Sequence, residues 1–475
     1  MSSIVISIPE HLKALVKPLE ELIDSVNSRR RTARAGGRAV DYAKTEAEVA
    51  KRVQGLERSC HEILLSALDV DEERVLIDGV LHKQVFRGPG RYQCMAGPVR
   101  VVRSLYRPVG KRNAPTVDAV GLRAGVVGAG WLPATASAMA HAVQMTTSRD
   151  AAEHAQRSHR LPYSRSSFAD VAHEVGRHYV ERHQVVEDEL VARFVVPPEA
   201  VSISAALDRV SVPMEEPRAR PPELSSEDAP KNPIERVFRM AYVATLTLHD
   251  AQGKPLHTIR YGRMHQAEPS ELVRGLAMDI AAMREARPDL QVVTLADGAA
   301  EMWNLLEGEI SEEELGVEVL RLIDFWHLLE KLAAAAKVLD ASEAHERIKR
   351  WKLLLLNRRC AVDTILTELI DSGCRDREIG TNQPVHDAIT YLENNGHRMR
   401  YTTARRRGLP IGSGHVEATC KSLVEVRMKR AGARWKNPTG EHIIQLRALA
   451  LSDRWDDGLA LTLAPLRGAI RKVAA

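Results

Sequence analysis

Apolar positions fall at helical spacing through the first sixty residues. Glu10 to Val26 carries them at three- to four-residue intervals after Pro9, which suits a first turn. Asp41 to Leu68 repeats the pattern with Val49, Val53, Leu56, Ile63 and Leu64. Between these helices Asn27 to Arg38 is basic and contains glycine, so it reads as a break. Arg29, Arg30, Arg31, Arg34 and Arg38 there form either a phosphate contact or, as expected of so short a run, a solvated linker. The period then changes. Val75 to Ile77, Asp78-Gly79 and Val80-Leu81 spell a hairpin whose Asp-Gly pair suits a type I′ turn. Tyr92 to Met95, Ala96-Gly97 and Val99 to Leu105 spell a second. From Pro133 the spacing is helical again. Ser148 is expected to cap a short helix, Leu161-Pro162-Tyr163 to break it, and Ser164 or Ser166 to cap another through Tyr179. Two capped helices around a break outline a helix-turn-helix, with Arg165, Ser166 and Ser167 where bases are read. A helical hairpin without DNA fits the same pattern.

A second block of strands follows. Val201 to Val212, Phe238 to Leu248 and Leu256 to Tyr261 are rich in β-branched residues, and Asp250 to Gly253 makes a natural turn between the last two. Pro217 to Pro233 is rich in Pro, Glu and Ser and reads as an exposed loop or linker. Pro269 to Glu285 is helical. Gln291 to Leu295 and Val317 to Ile323 are short apolar strands that run into Asp297 and Asp324. Three antiparallel strands, a helix, a strand, a helix and a strand predict a mixed α/β sheet. Glu330 to Leu392 is helical throughout, and a last helix pair lies in Gly414 to Arg430 and Thr439 to Ser452.

Composition narrows the class. The 475 residues are 44% hydrophobic and 27% charged, which excludes a wholly disordered chain. No run of about 18 apolar residues offers a membrane helix, and Met1 to Lys17 lacks the layout of a secretory signal. Five scattered cysteines without a CxxC pair support neither zinc nor disulfides, so a cytoplasmic protein is expected. The net charge of +4 decides little; its distribution says more. Gly298 to Glu318 holds seven Glu and no Lys or Arg, whereas His397 to Lys436 holds eleven Lys and Arg against Glu417 and Glu425. That basic stretch attracts a phosphate backbone, with Lys421, Arg427, Lys429, Arg430, Arg434 and Lys436 as its candidate contacts.

Two acids carry the candidate chemistry at the ends of apolar strands. Asp208 follows Ile203 to Leu207, and Asp297 follows Val292 to Ala296 and precedes Gly298. An Asp so placed is costly unless paired or bound to a cation. Glu417 is a third acid, on the first turn of a helix inside the basic stretch. Two strands and a helix bringing three carboxylates together make a hard-oxygen site suited to Mg²⁺ or Mn²⁺, and ions so held activate a water or a 3′-hydroxyl against a phosphodiester. The bland alternative makes each acid a separate cap or surface residue.

On these residues the chain resembles a DDE transposase of a bacterial insertion sequence, of the ISKra type related to the Mutator-like group. The likeness rests on Leu207-Asp208-Arg-Val-Ser-Val-Pro213, Ala296-Asp297-Gly-Ala-Ala-Glu-Met-Trp303, Asp324-Phe-Trp-His327, and Gly412-Ser-Gly-His-Val-Glu417-Ala-Thr-Cys-Lys421 continuing to Arg427-Met-Lys-Arg-Ala-Gly-Ala-Arg-Trp435. It covers about residues 200 to 455. It implies an RNase H-like mixed sheet with an all-helical insertion, preceded by a helical and small β DNA-binding region. It implies Asp208, Asp297 and Glu417 as metal ligands, and a catalytic part for His327 in orienting DNA or supporting the metal, against a strand-end cap packed on Trp326. Double-stranded DNA is the implied partner and a homodimer on DNA the implied assembly. The expected divisions are 1–110 (helical and small β), 111–195 (helix-turn-helix), 196–330 (core), 331–405 (insertion) and 406–475 (C-terminal helices). Trp303 and Trp435 offer rings that could stack on DNA bases, but a place in the core is expected of each. Arg209 departs from the Asp-Gly common in the family and either contacts phosphate or pairs with an acid. A DNA-binding regulator and a purely hydrolytic RNase H-fold nuclease are the competing readings.

Overall fold

The computed structural model describes residues 7–36, 39–218, 233–373 and 379–473. The chain divides into two compact units, Met1–Arg182 with Asp456–Ala475, and His183–Trp455.

The first unit opens with helices α1 (Val16–Gly36) and α2 (Tyr42–Ser66), after a 3-10 turn at Glu10–Leu15. α1 runs through the basic segment that the pattern predicts as a break. Arg and Ala are good helix formers, and Arg34 falls in the last turn, where the carbonyl end of the helix favours a cation. Arg29, Arg30, Arg31 and Arg34 thus lie on exposed helix, and Arg38 lies outside the described residues. Asp41 caps α2 through the Lys44 N–H. Strands β1 (Arg74–Ile77), β2 (Val80–Cys94), β3 (Gly97–Pro108) and β4 (Val117–Asp118) form an antiparallel sheet, and a C-terminal strand, Ile470–Lys472, adds to the β1 edge. The two predicted hairpins share β2. Asp78 and Gly79 both have positive φ, 48° and 76°, as a type I′ turn requires.

Helices α3 (Ala119–Ala124), α4 (Pro133–Met145), α5 (Ser148–Arg157) and α6 (Arg165–Glu181) follow, and the last three pack on one another. The cap of α5 is Thr147 rather than Ser148: its hydroxyl accepts from the Asp150 N–H at 3.1 Å. Ser164 caps α6, accepting from Ser167 N–H at 3.2 Å. The link between α5 and α6 is pinned from outside. Leu161 N–H donates to Met95 O at 2.9 Å, Tyr163 Oη to Cys94 O at 2.6 Å, and Arg160 makes a bidentate pair with Glu57.

The second unit holds the other sheet. After α7 (His183–Arg193), strands β5 (Ser202–Pro217), β6 (Ile234–His249) and β7 (Pro255–Arg263) form an antiparallel meander. Helix α8 (Pro269–Ala286) leads to β8 (Gln291–Ala296). Helices α9 (Ala300–Glu309) and α10 (Glu312–Leu315) lead to β9 (Val319–Ile323). The order is β7-β6-β5-β8-β9, with β8 parallel to β5 and β9 parallel to β8. This is the expected mixed α/β sheet, with the strand order of an RNase H-like core. Ile203, Leu207, Val292, Val293, Leu295, Leu320 and Leu322 are buried, the near-continuous apolar content of strands covered on both faces. β5 and β6 stay paired to Pro217↔Ile234, so the Pro-, Glu- and Ser-rich stretch joins the ends of a long hairpin; its residues 219–232 lie outside the described residues.

The predicted helical insertion is α11 (Phe325–Leu339), α12 (Ala344–Asn357), α13 (Ala361–Asp371), α14 (Ile379–Asn395) and α15 (Tyr401–Arg406). Trp351 is fully buried, and its Nε1 donates to Glu368 at 2.8 Å. The same carboxylate takes Arg347 and Arg350. The chain then returns to the sheet as α16 (Gly414–Thr419), a π-helical turn (Cys420–Glu425), α17 (Val426–Met428) and α18 (Asn437–Leu451), the last packed on β7. No helix among the described residues is long and apolar enough to cross a membrane.

One buried acid in α8 makes stability depend on pH. Asp279 of α8 is 3% exposed and accepts from the Tyr261 hydroxyl of β7. Burial first, then the charge of Glu187, pushes its pKa up to about 7. A carboxyl raised in the fold stabilises it while protonated. This contribution is expected to be present below the ordinary value of 3.8 and lost as pH rises towards about 7. Asp279→Asn should flatten that decline, read as urea midpoints across the same window.

Candidate active site

Strand register sets the two aspartates level. Ala206 of β5 pairs with Leu295 of β8, so Asp208 and Asp297 each lie two residues further along neighbouring parallel strands. Such strands run about 4.8 Å apart. β8 ends at Ala296 while β5 continues, so Asp208 sits where β5 loses that neighbour. Ligands of open α/β sheets bind at such strand ends. Asp208 Oδ1 accepts from Arg209 N–H at 2.7 Å, and Cys420 Sγ donates to Oδ2 at 3.4 Å. Burial raises the pKa of Asp208. Asp297 adds a like charge, while the Arg209 N–H, Cys420 and His327 act the other way. The Arg209 side chain turns to Glu301, whose other oxygen accepts from Tyr242 at 2.5 Å. Arg209 therefore pairs with an acid.

Asp297 is held by its own turn. Its Oδ1 accepts from Ala299 N–H at 2.9 Å, and its carbonyl accepts from Trp303 Nε1 at 2.7 Å. Trp303 is buried as expected, under the Arg398 guanidinium at 4.5 Å. Asp324, in the matching place after β9, is 3% exposed and saturated. Its Oδ1 caps α11 through Trp326 and His327 N–H at 2.7 and 2.9 Å, and its Oδ2 takes Ser413 N–H and Ser413 Oγ. Asp324 is thus a strand-end cap tied to the loop that leads into α16. It sets His327 on the first turn of α11, within electrostatic reach of Asp208.

Glu417 lies on α16 with its side chain 58% exposed, paired with Lys421 at 3.5 Å. Cys420 is one turn further on and faces Asp208. The helix widens into a π turn from that residue. A π turn lets a carbonyl point away from its own helix, and Arg447 of α18 donates to Ser422 O at 2.8 and 2.6 Å. Cys420 lies within the Gly412–Lys421 motif without being singled out there, and Arg447 lies beyond the motif's end. Arg447 is the one Lys or Arg of α18, which is the one signal for it.

The expected DNA-contacting residues divide by exposure. Lys421, Arg430, Arg434 and Lys436 are exposed; Lys429 is also exposed and pairs with Glu425 at 3.2 Å. Arg427 is 6% exposed, its guanidinium 5.0 Å from the Trp435 ring, so it lies inside the protein rather than on the expected phosphate-facing surface. Trp435 is part-buried and docks on β5, its N–H donating to Pro213 O at 3.1 Å. Arg398, Arg400 and Arg407 are engaged by Glu307 and Glu318 of the acidic run. A cavity of about 690 Å³ in the insertion is lined by Arg358, Arg359, His397, Arg400 and Arg407. In the first unit Arg165 is exposed at the start of α6, and Ser167 Oγ lies 3.0 Å from the capping Ser164 Oγ.

Asp208 and Asp297 stand together, with His327 in electrostatic reach. Among the described residues, no three of His, Cys, Asp and Glu stand close enough to enclose an ion. Two adjacent carboxylates, one held up in pKa by burial, suit a hard divalent cation. No protein-family profile and no curated protein matches the chain. Among solved structures, the Drosophila P element transposase strand transfer complex aligns with 70% of this chain and 83% of its own, at 12% identity and a TM-score of 0.24. The Mos1 transposase paired-end complex with left transposon end aligns with 83% of this chain and 100% of its own, at 14% identity and a TM-score of 0.16. The strand order defines the class, an RNase H-like fold.

Proposed function

We propose that the protein is a DDE transposase of the bacterial ISKra type, which cleaves the ends of its element and joins them to target DNA. The observation that carries this reading is the level pair of Asp208 and Asp297 where β5 and β8 part in an RNase H-like sheet. Asp208, Asp297 and Glu417 would hold Mg²⁺ or Mn²⁺. Bound there, the metal polarises a phosphodiester and lowers the pKa of an attacking water or 3′-hydroxyl. The chain's own residues do the rest. Trp303 and the Ala299 N–H fix Asp297, and the Arg209 N–H and Cys420 fix Asp208. The Asp324 cap orients His327, which is placed to bear on Asp208. Lys421 pairs weakly with Glu417 across exposed surface and is free to exchange it for a phosphate. The first unit, with Arg165 and Ser167 at the start of α6, reads the element end, and two copies hold two ends together.

A labelled duplex bearing the element's end tests this reading. Cutting at that end with Mg²⁺, and none with EDTA, supports it. Tight binding without cutting in any divalent metal leaves a DNA-binding regulator, and unspecific hydrolysis leaves a nuclease. Replacing Arg430, Arg434 and Lys436 together by Ala is expected to lower the slope of log affinity against log salt by up to ~2.7, at about 0.9 per phosphate contact. An unchanged slope would remove this face from the DNA interface.

A further inference from the structure

Tyr391 of α14 is 9% exposed, yet its hydroxyl donates to no acceptor among the described residues. A buried hydroxyl proton without an acceptor is costly, so its position needs a reason. Gly298, directly after Asp297, supplies the place. A Cβ there would lie 2.1 Å from Tyr391 Cε2 and 2.8 Å from Cζ, so the phenol edge reaches the backbone beside Asp297 because residue 298 has no side chain. Lys331 of α11 lies 4.9 Å from the centre of the ring and fixes it from the insertion side. Burial raises the pKa of the phenol, the charges of Asp297 and then Asp324 raise it further, and the Gly298 N–H acts the other way, in keeping with a hydroxyl set against the turn that carries Asp297. The acceptor follows by elimination. Both oxygens of Asp324 are filled, by Trp326 and His327 on one side and Ser413 on the other. Asp297 has one oxygen taken by the Ala299 N–H.

We propose that Tyr391 is a positioning residue for the metal site: its hydroxyl donates to the Asp297 oxygen that Ala299 leaves open, and so couples the helical insertion to the active edge of the sheet. This rests on the reading of Asp297 as a metal ligand. Each carboxylate oxygen has a second lone pair to offer an ion once its hydrogen bond has fixed the group's orientation, and outer partners of this kind are worth roughly 10- to 100-fold in metal affinity.

The test is Mn²⁺ binding to the full chain, followed by loss of the free-ion electron paramagnetic resonance signal, for wild type, Asp297→Asn, Tyr391→Phe and Tyr391→Leu. Tyr391→Phe keeps the ring and removes the hydroxyl. It is expected to weaken Mn²⁺ binding about tenfold, to shift cleavage to higher Mg²⁺ with rate recovered at saturation, and to leave the thermal midpoint near that of wild type. Mn²⁺ binding by Tyr391→Phe equal to wild type, with only Tyr391→Leu impaired, would reduce Tyr391 to a packing residue and overturn the proposal alone. Equal Mn²⁺ binding by wild type and Asp297→Asn would instead overturn the metal reading beneath it.

Discussion

Asp208→Asn and Asp297→Asn are each expected to abolish metal-dependent cleavage while leaving duplex binding within about twofold of wild type. The size follows from the placement of the two acids. Partners in the outer shell of a metal site are worth about 10- to 100-fold, so a direct ligand should cost more than ~100-fold. Binding is spared because phosphate contacts dominate affinity, and the exposed Arg430, Arg434 and Lys436 lie elsewhere on the chain. The same substitution should move stability in the opposite direction. Burial opposes ionisation of Asp208, and Asp297 stands beside it with the same charge. The metal-free fold therefore loses stability as pH rises through the raised pKa of Asp208, and Asn removes that loss. A gain of about 1 kcal/mol is the usual size for relieving a strained active site, a rise of roughly 2–4 °C in thermal midpoint for a unit of this length. Mg²⁺ should raise the midpoint of wild type and not of Asp208→Asn. Binding lost in step with cleavage, or a midpoint unmoved by Mg²⁺, would remove these residues from the metal site.

The sheet was legible because its signals are local. Ile203 to Leu207 and Val292 to Ala296 are apolar runs of strand length, and the turn at Asp250 to Gly253 joins β6 to β7 as composition predicts. What was hidden depends on residues far apart in the chain. The π turn that faces Cys420 towards Asp208 is held by Arg447, and no periodicity reveals a bulge whose stabilising partner comes from another helix. Arg427 reads as a surface cation by type, but the Trp435 ring gives its guanidinium a buried place. Helix α1 reads as broken at its arginines because a charge run resembles a linker, yet those residues are individually good helix formers. Thr147 takes the cap from Ser148 because its hydroxyl reaches the N–H of Asp150. The contact between Gly298 and Tyr391 exists only once the insertion has folded back over the sheet.

Asp324→Ala is expected to be the most damaging single change in the fold, although Asp324 is not among the proposed metal ligands. Its carboxylate accepts from three backbone N–H groups and one hydroxyl in a site almost closed to solvent. Removing it leaves those donors buried, at about 1–3 kcal/mol for each that finds no water. A loss of roughly 3–5 kcal/mol follows, comparable to breaking a buried charged contact. The damage is also directional. Asp324 joins the start of α11, which carries His327, to Ser413, from which α16 and Glu417 begin. Asp324→Ala should therefore lower the urea midpoint and strip cleavage from the protein that remains folded. Asp324→Asn separates the two halves of this role. Its carbonyl oxygen can still cap α11, but its amide turns donors towards the N–H and hydroxyl of Ser413. It should keep much of the helix cap and lose the tie to the Glu417 helix, giving a smaller drop in stability with cleavage still severely impaired. Equal retention of cleavage by Asp324→Asn and wild type would show that the tie to Ser413 does not place Glu417 for catalysis.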